Sequence, residues 1–146
     1  MLTAKQDKAL LTALLVLLMP GLAAAVCVRE LLPPNDGSVV HVSDVGQLRK
    51  AVRHANVSGN VEIILAEGTY TLRKQLRVNA QGITIRGDST DRSKVIVRGR
   101  GMDNGPSHVC QVVASDFTVA DLTAGWVTRH VIQVHGEQGA NNTRIH

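Results

Sequence analysis

From Val61 to Ile145 the chain is cut into β-branched segments, most only a few residues long, by bends that nearly always carry glycine. That pattern is too interrupted for a helix and too short-stranded for a sandwich with good hairpins. The expected strands are Glu62 to Ala66, Thr69 to Leu72, Leu76 to Val78, Ile83 to Arg86, Val95 to Arg98, Val109 to Val113, Phe117 to Asp121, Val131 to His135 and Thr143 to Ile145. Bends fall at Gly68, Gly82, Gly87 with Asp88, Gly99, Gly101, Asn104 with Gly105, Gly125, Gly136 and Gly139. A short strand over Val39 to Val42 precedes them. It is followed by a helix, with Ser43 or Asp44 as N-cap, Val45, Leu48, Val52 and Ala55 as its apolar face, and Asn56 with Gly59 as its stop. Gln47, Arg49, Lys50 and Arg53 form the outer face of that helix.

Short strands in such number suggest a repeat. Val95 to Gly99 lines up with Ile132 to Gly136, and the pair Ile83 and Ile85 lines up with Phe117 and Val119 and then with Thr143 and Ile145. Stacked coils with an insertion at Gly99 to Ser107 account for the unequal spacing, so the expected class is all-β, a parallel β-solenoid. On one stacked sheet, alternation turns Ile83, Ile85, Phe117, Val119 and Ile145 inward. Thr84, Arg86, Thr118, Ala120, Arg144 and His146 then point outward.

The front of the chain is different. Residues 1–25 pass from Lys5 and Lys8 through an apolar run, Ala9 to Met19, to Pro20, Gly21 and Ala23 to Ala25. That is the order of a signal peptide cleaved before Val26, and the run is too short for a membrane span. Residues 26–38 hold Pro33, Pro34, Asn35, Asp36 and Gly37 and read as an irregular lead-in. Export makes the protein secreted, periplasmic or extracellular, with no stable membrane span after cleavage. It also permits disulfides. Cys27 and Cys110 either pair or leave Cys110 as a free buried thiol. Sequons stand at Asn56 and Asn141.

From His41 to His146 the residues resemble the start of a right-handed parallel β-helix of the pectate-lyase-like superfamily. The resemblance is carried by His41 to Val52, Val61 to Leu65 and the run Glu67, Gly68, Thr69, Tyr70. It implies that a strand and a short capping helix close the first coil, with about three coils over residues 39–146 and the solenoid incomplete at the C-terminus. This stretch from His41 to Tyr70 is similar to the opening of alginate- and chondroitin-type polysaccharide lyases, which implies β-elimination on an acidic polysaccharide. Calcium is implied by the resemblance only. The residues themselves show no cofactor, no metal site and no recurring carboxylate pair, and His41, His54 and His108 lack zinc-site spacing.

The formal net charge is +4 and aromatic residues are 2% of the chain. So few aromatics argue against stacking platforms for single-stranded nucleic acid. A mild excess of arginine on an exported protein suits an anionic polysaccharide or cell-surface glycan. No catalytic residue is identified. The candidate substrate-binding residues are Arg86 and Arg144 on the outward face, Arg98 and His135 at matching places in the repeat, and Arg129 with His130 after Trp126. Asp121 precedes this last group. Two functions follow: a polysaccharide lyase whose catalytic groups lie outside this stretch, or a non-catalytic glycan-binding or adhesion module.

Overall fold

The computed structural model describes residues 37–146. The signal segment 1–25, Cys27 and nearly all of the lead-in lie outside the described residues. The described residues are all-β with a single α-helix. Its elements are β1 (Val39–Val42), α1 (Val45–Ser58), β2 (Glu62–Leu65), β3 (Gly68–Thr71), β4 (Leu76–Val78), β5 (Thr84–Gly87), β6 (Val95–Arg98), β7 (His108–Val112), β8 (Thr118–Ala120), β9 (Thr123–Gly125), β10 (His130–Val134) and β11 (Arg144–Ile145). Among the described residues no helix is long and apolar enough to cross a membrane.

The strands form three sheets, with orders β1-β2-β5-β8-β11, β3-β6-β9 and β4-β7-β10, here called A, B and C. Every pairing is parallel. From β2 onward the chain visits A, B and C in fixed rotation, so each pass lays one strand beside its predecessor in every sheet. Inward side chains therefore stack in columns: Ile63, Ile85, Val119 and Ile145 in A, Tyr70, Val97 and Ala124 in B, and Leu76, Cys110 and Ile132 in C. These columns supply much of the core.

Asp44 is the helix N-cap, its Oδ1 accepting from Gln47 N at 2.8 Å, while Gln47 Oε1 accepts from Ser43 N at 2.9 Å. This near-reciprocal pair satisfies donors that a helix start leaves free. Leu48, Ala51, Val52 and Ala55 face the core. At the far end Gly59 N donates back to Ala55 O at 2.8 Å. Asn56 ties the helix to β4: its Nδ2 donates to Arg77 O and its Oδ1 accepts from Asn79 N, both at 2.8 Å. The amide of that sequon is thus engaged with backbone. Tyr70 is buried and its hydroxyl lies 3.0 Å from Val42 O and 2.9 Å from Ala66 O. Strand β3 is thereby anchored to the end of β1.

The bend from C to A repeats one conformation. Asn60, Gly82, Asp116 and Asn142 all have positive φ, between 49° and 73°, just before the chain re-enters sheet A. Backbone bonds Asn60 N to Gln81 O, Gly82 N to Ser115 O and Asp116 N to Asn141 O link successive bends. Asn and Asp tolerate this left-handed region better than other non-glycine residues. At residue 82 a Cβ would sit 2.1 Å from Asn60 Oδ1, so any side chain there would have to displace that amide as well as adopt a positive φ.

Two sequence expectations need correction and two need qualifying. Thr123 to Gly125 is a strand, although Thr, Ala and Gly gave no strand signal: pairing with Ile96 to Arg98 makes it one. Val95 to Gly99 and Ile132 to Gly136 are not equivalent, because β6 belongs to B and β10 to C. Arg98 and His135 therefore do not share a ladder. Thr84, Thr118 and Ala120 are buried despite their outward parity, as short side chains beside the longer Glu62, Arg86 and Arg144 of the same ladder. Ile145 is 65% exposed, since no strand covers its far side among the described residues. The alignment of Ile85 with Val119 and of Val119 with Ile145 agrees with the observed register.

Candidate functional site

The candidate residues fall into two groups, one on sheet A and one around sheet C. Arg86 and Arg144 belong to sheet A. Arg86 is committed: its Nε donates to Glu62 Oε1, and its Nη1 donates to Gly87 O at 3.1 Å. The carboxylate one strand away neutralises the charge of this guanidinium. Arg144 lies above Thr118 and its charge helps hold the Asp116 carboxyl below its usual range, after the hydrogen bonds from Asn142 and Gln81. Sheet A therefore does not present a free cationic ladder.

The other candidates surround sheet C. Arg98 ends β6, Arg129 immediately precedes β10, His130 opens β10 and His135 follows it. The connections from B to C are residues 72–75, 99–107 and 126–129, and they carry Arg73, Lys74, Arg100 and Arg129 against Asp103 alone. With Arg98 at the end of β6, this edge is strongly cationic. Among the described residues none of these five cations makes an ion pair. Arg49 of α1 joins them, lining a shallow depression with Val45, Thr71, Arg73 and Lys74. The guanidinium of Arg98 sits 5.7 Å from the centroid of the Trp126 ring, and Trp126 is 55% exposed. Arg98 is thereby positioned without loss of its charge.

The remaining edges have the opposite balance. The bends from A to B, residues 66–67, 88–94 and 121–122, hold Glu67, Asp88, Asp91 and Asp121 against Arg92 and Lys94. The bends from C to A carry Asp116 and Glu137. A modest net charge is thus sorted by edge, positive between B and C and negative elsewhere.

On sheet C two histidines stack. His108 and His130 are register partners with ring centroids 5.8 Å apart and planes 4° from parallel, and His108 Nδ1 lies 3.1 Å from His130 O. His108 is buried and His130 exposed. His135 is bonded at both nitrogens, Nε2 to Gln111 Nε2 at 3.0 Å and Nδ1 to the Glu137 carboxylate. That bond holds the Glu137 carboxyl below its ordinary range. Asp121 precedes β9 at a positive φ, on the A-to-B edge, away in the chain order from the group after Trp126.

Cys110 is a free thiol in the core between Leu76 and Ile132, and burial pushes it up to about 12. Among the described residues no three His, Cys, Asp or Glu side chains converge as a metal site requires.

Sequence reading singled out Arg98 and Arg129 but not Arg49, Arg73, Lys74 or Arg100. Their common signal is position: each of the last three lies a few residues before a strand of the third sheet, visible only once the rotation through three sheets is known. Gln111, with no charge and no motif, carried no signal.

No family model, no curated protein and no solved structure matches the chain.

Proposed function

We propose that residues 39–146 form a right-handed parallel β-helix capped by α1, in an exported protein that binds an anionic polysaccharide or cell-surface glycan. Three parallel sheets visited in rotation support the solenoid, and parallel crossovers are nearly always right-handed. The observation that carries the binding role is the sorting of charge: Arg73, Lys74, Arg98, Arg100 and Arg129 gather on the edge between B and C without acidic partners. Each pass of the chain adds a cation to this edge, so a polyanion lying along it meets several of them. Forked guanidinium groups suit carboxylates and sulfates.

The test is affinity for polygalacturonate across a salt series. The double variant R98A/R129A loses about three- to tenfold at low salt and shows a flatter salt slope, while R86A, already paired with Glu62, binds as the wild type does. Equal affinity of R98A/R129A and wild type would remove the reading.

The lyase reading keeps one observation in its favour, His135 oriented by Glu137, which is the arrangement of a positioned base. A rise in ultraviolet absorbance from unsaturated product, lost in H135A, is its signature.

A further inference from the structure

The outer face of sheet C carries planar polar side chains in register. Arg77, Gln111 and Gln133 are partners on β4, β7 and β10, so they follow one another at about 4.8 Å. Gln111 is held from both sides. Its Oε1 accepts from Gln75 Nε2 at 2.8 Å, and its Nε2 donates to His135 Nε2 at 3.0 Å. With the amide oriented this way, His135 Nε2 is an acceptor, so the ring proton sits on Nδ1 and is donated to Glu137. The chain Gln75, Gln111, His135, Glu137 therefore has one direction of hydrogen bonding.

This chain leaves unused capacity. Gln111 retains one N–H and one lone pair of its amide oxygen. Gln133 is half-buried and has no side-chain hydrogen bond among the described residues. Arg77 gives its Nε to Asn79 Oδ1 at 2.9 Å and keeps both Nη groups. Each group is planar, and at Gln111 the ordering cost is met before any ligand arrives. A row of amides with both donors and acceptors to spare suits sugar hydroxyls, each of which also donates and accepts.

Charge gives the face a direction. Strands of sheet C start after the bends that hold Lys74, Arg100 and Arg129, and they end before the bends that hold Asp116 and Glu137. An acidic substituent is drawn to the start of the strands and repelled from their ends. The geometry points to the outer face of sheet C as a hydroxyl-reading subsite for a uronic-acid type of sugar, carboxylate towards Arg129 and hydroxyls over Gln111 and Gln133. This deepens the glycan-binding reading above and rests on it.

The experiment compares binding of polygalacturonate and of poly-L-glutamate, matched in charge number, to the full chain. Wild type prefers the sugar polymer. Q133A, and Q133M, which keeps the volume but removes the hydrogen-bonding atoms, each lose about three- to tenfold for polygalacturonate, the worth of one neutral hydrogen bond. Neither changes the salt slope or the binding of poly-L-glutamate. Wild type binding both polymers equally, with Q133A and Q133M neutral, overturns the hydroxyl subsite and leaves the cationic edge standing. Wild type binding neither polymer overturns both.

Discussion

The two ends of the strand stack are made of the same kinds of residue and have very different surroundings. At the β1 end α1 lies against the first strands, and Leu48, Ala55, Val61, Ile63 and Leu65 are all fully buried. At the β11 end the same columns finish on Ile132 and Ile145, and Val134 is 42% and Ile145 65% exposed. Burial in this architecture comes from the neighbouring pass of the chain and not from the residue type. Where no neighbouring pass lies alongside, a helix can supply it, and among the described residues only the first end has one.

The largest test of that contrast pairs L48A with I145A. L48A opens a cavity beneath the helix and costs about 2–5 kcal/mol, whereas I145A stays within about 0.5 kcal/mol, as an exposed site should. Urea unfolding of both variants reads the difference, and equal losses would erase the distinction between the ends. Next comes Y70F. Its hydroxyl serves the carbonyls of Val42 and Ala66 at the capped end, and leaving them without it costs about 1–3 kcal/mol, again by urea midpoint. A loss below a few tenths would mean that the helix alone seals that end.

The smallest effect concerns acid. Asp116 accepts from Gln81 Nε2 on the pass before it and from Asn142 Nδ2 on the pass after it, and those bonds, with Arg144, hold its carboxyl below the ordinary value of 3.8. A depressed folded value adds stability that is present above the unfolded value and is lost as pH falls through the folded one. D116N therefore flattens the fall of melting temperature below about pH 4, and an unchanged acid limb would show that these cross-pass bonds are energetically idle.

Much of the fold was legible because hydrophobic alternation is local. The first strand, the helix with Asp44 and Gly59 at its ends, and every strand except Thr123 to Gly125 could be read to within about a residue. That strand escaped because its three small residues owe their conformation to Ile96 to Arg98. The false match between Val95 to Gly99 and Ile132 to Gly136 has a related cause: two strands of one composition look alike whichever sheet they join. The cationic edge was hidden more deeply. Arg73 and Arg129 are far apart in the chain, and nothing local says that both lie on the way from B to C. Arg86 looked equally available, since its bond to Glu62 depends on a register that no single segment reveals.

The left-handed bends at Asn60, Gly82, Asp116 and Asn142 have one more consequence. They mark the point at which each pass is re-indexed, and they do so although the connections between sheets differ in length: residues 66–67 and 121–122 against 88–94 from A to B, 72–75 and 126–129 against 99–107 from B to C. Extra chain is absorbed as an outward excursion and never shifts a strand pair. Residues 99–107, the longest of the B-to-C connections, leave and rejoin the stack on backbone bonds to the next pass, Gly99 N to Gly125 O and Arg129 N to Ser107 O, so the added length lies between two fixed ends and the ladder keeps its count.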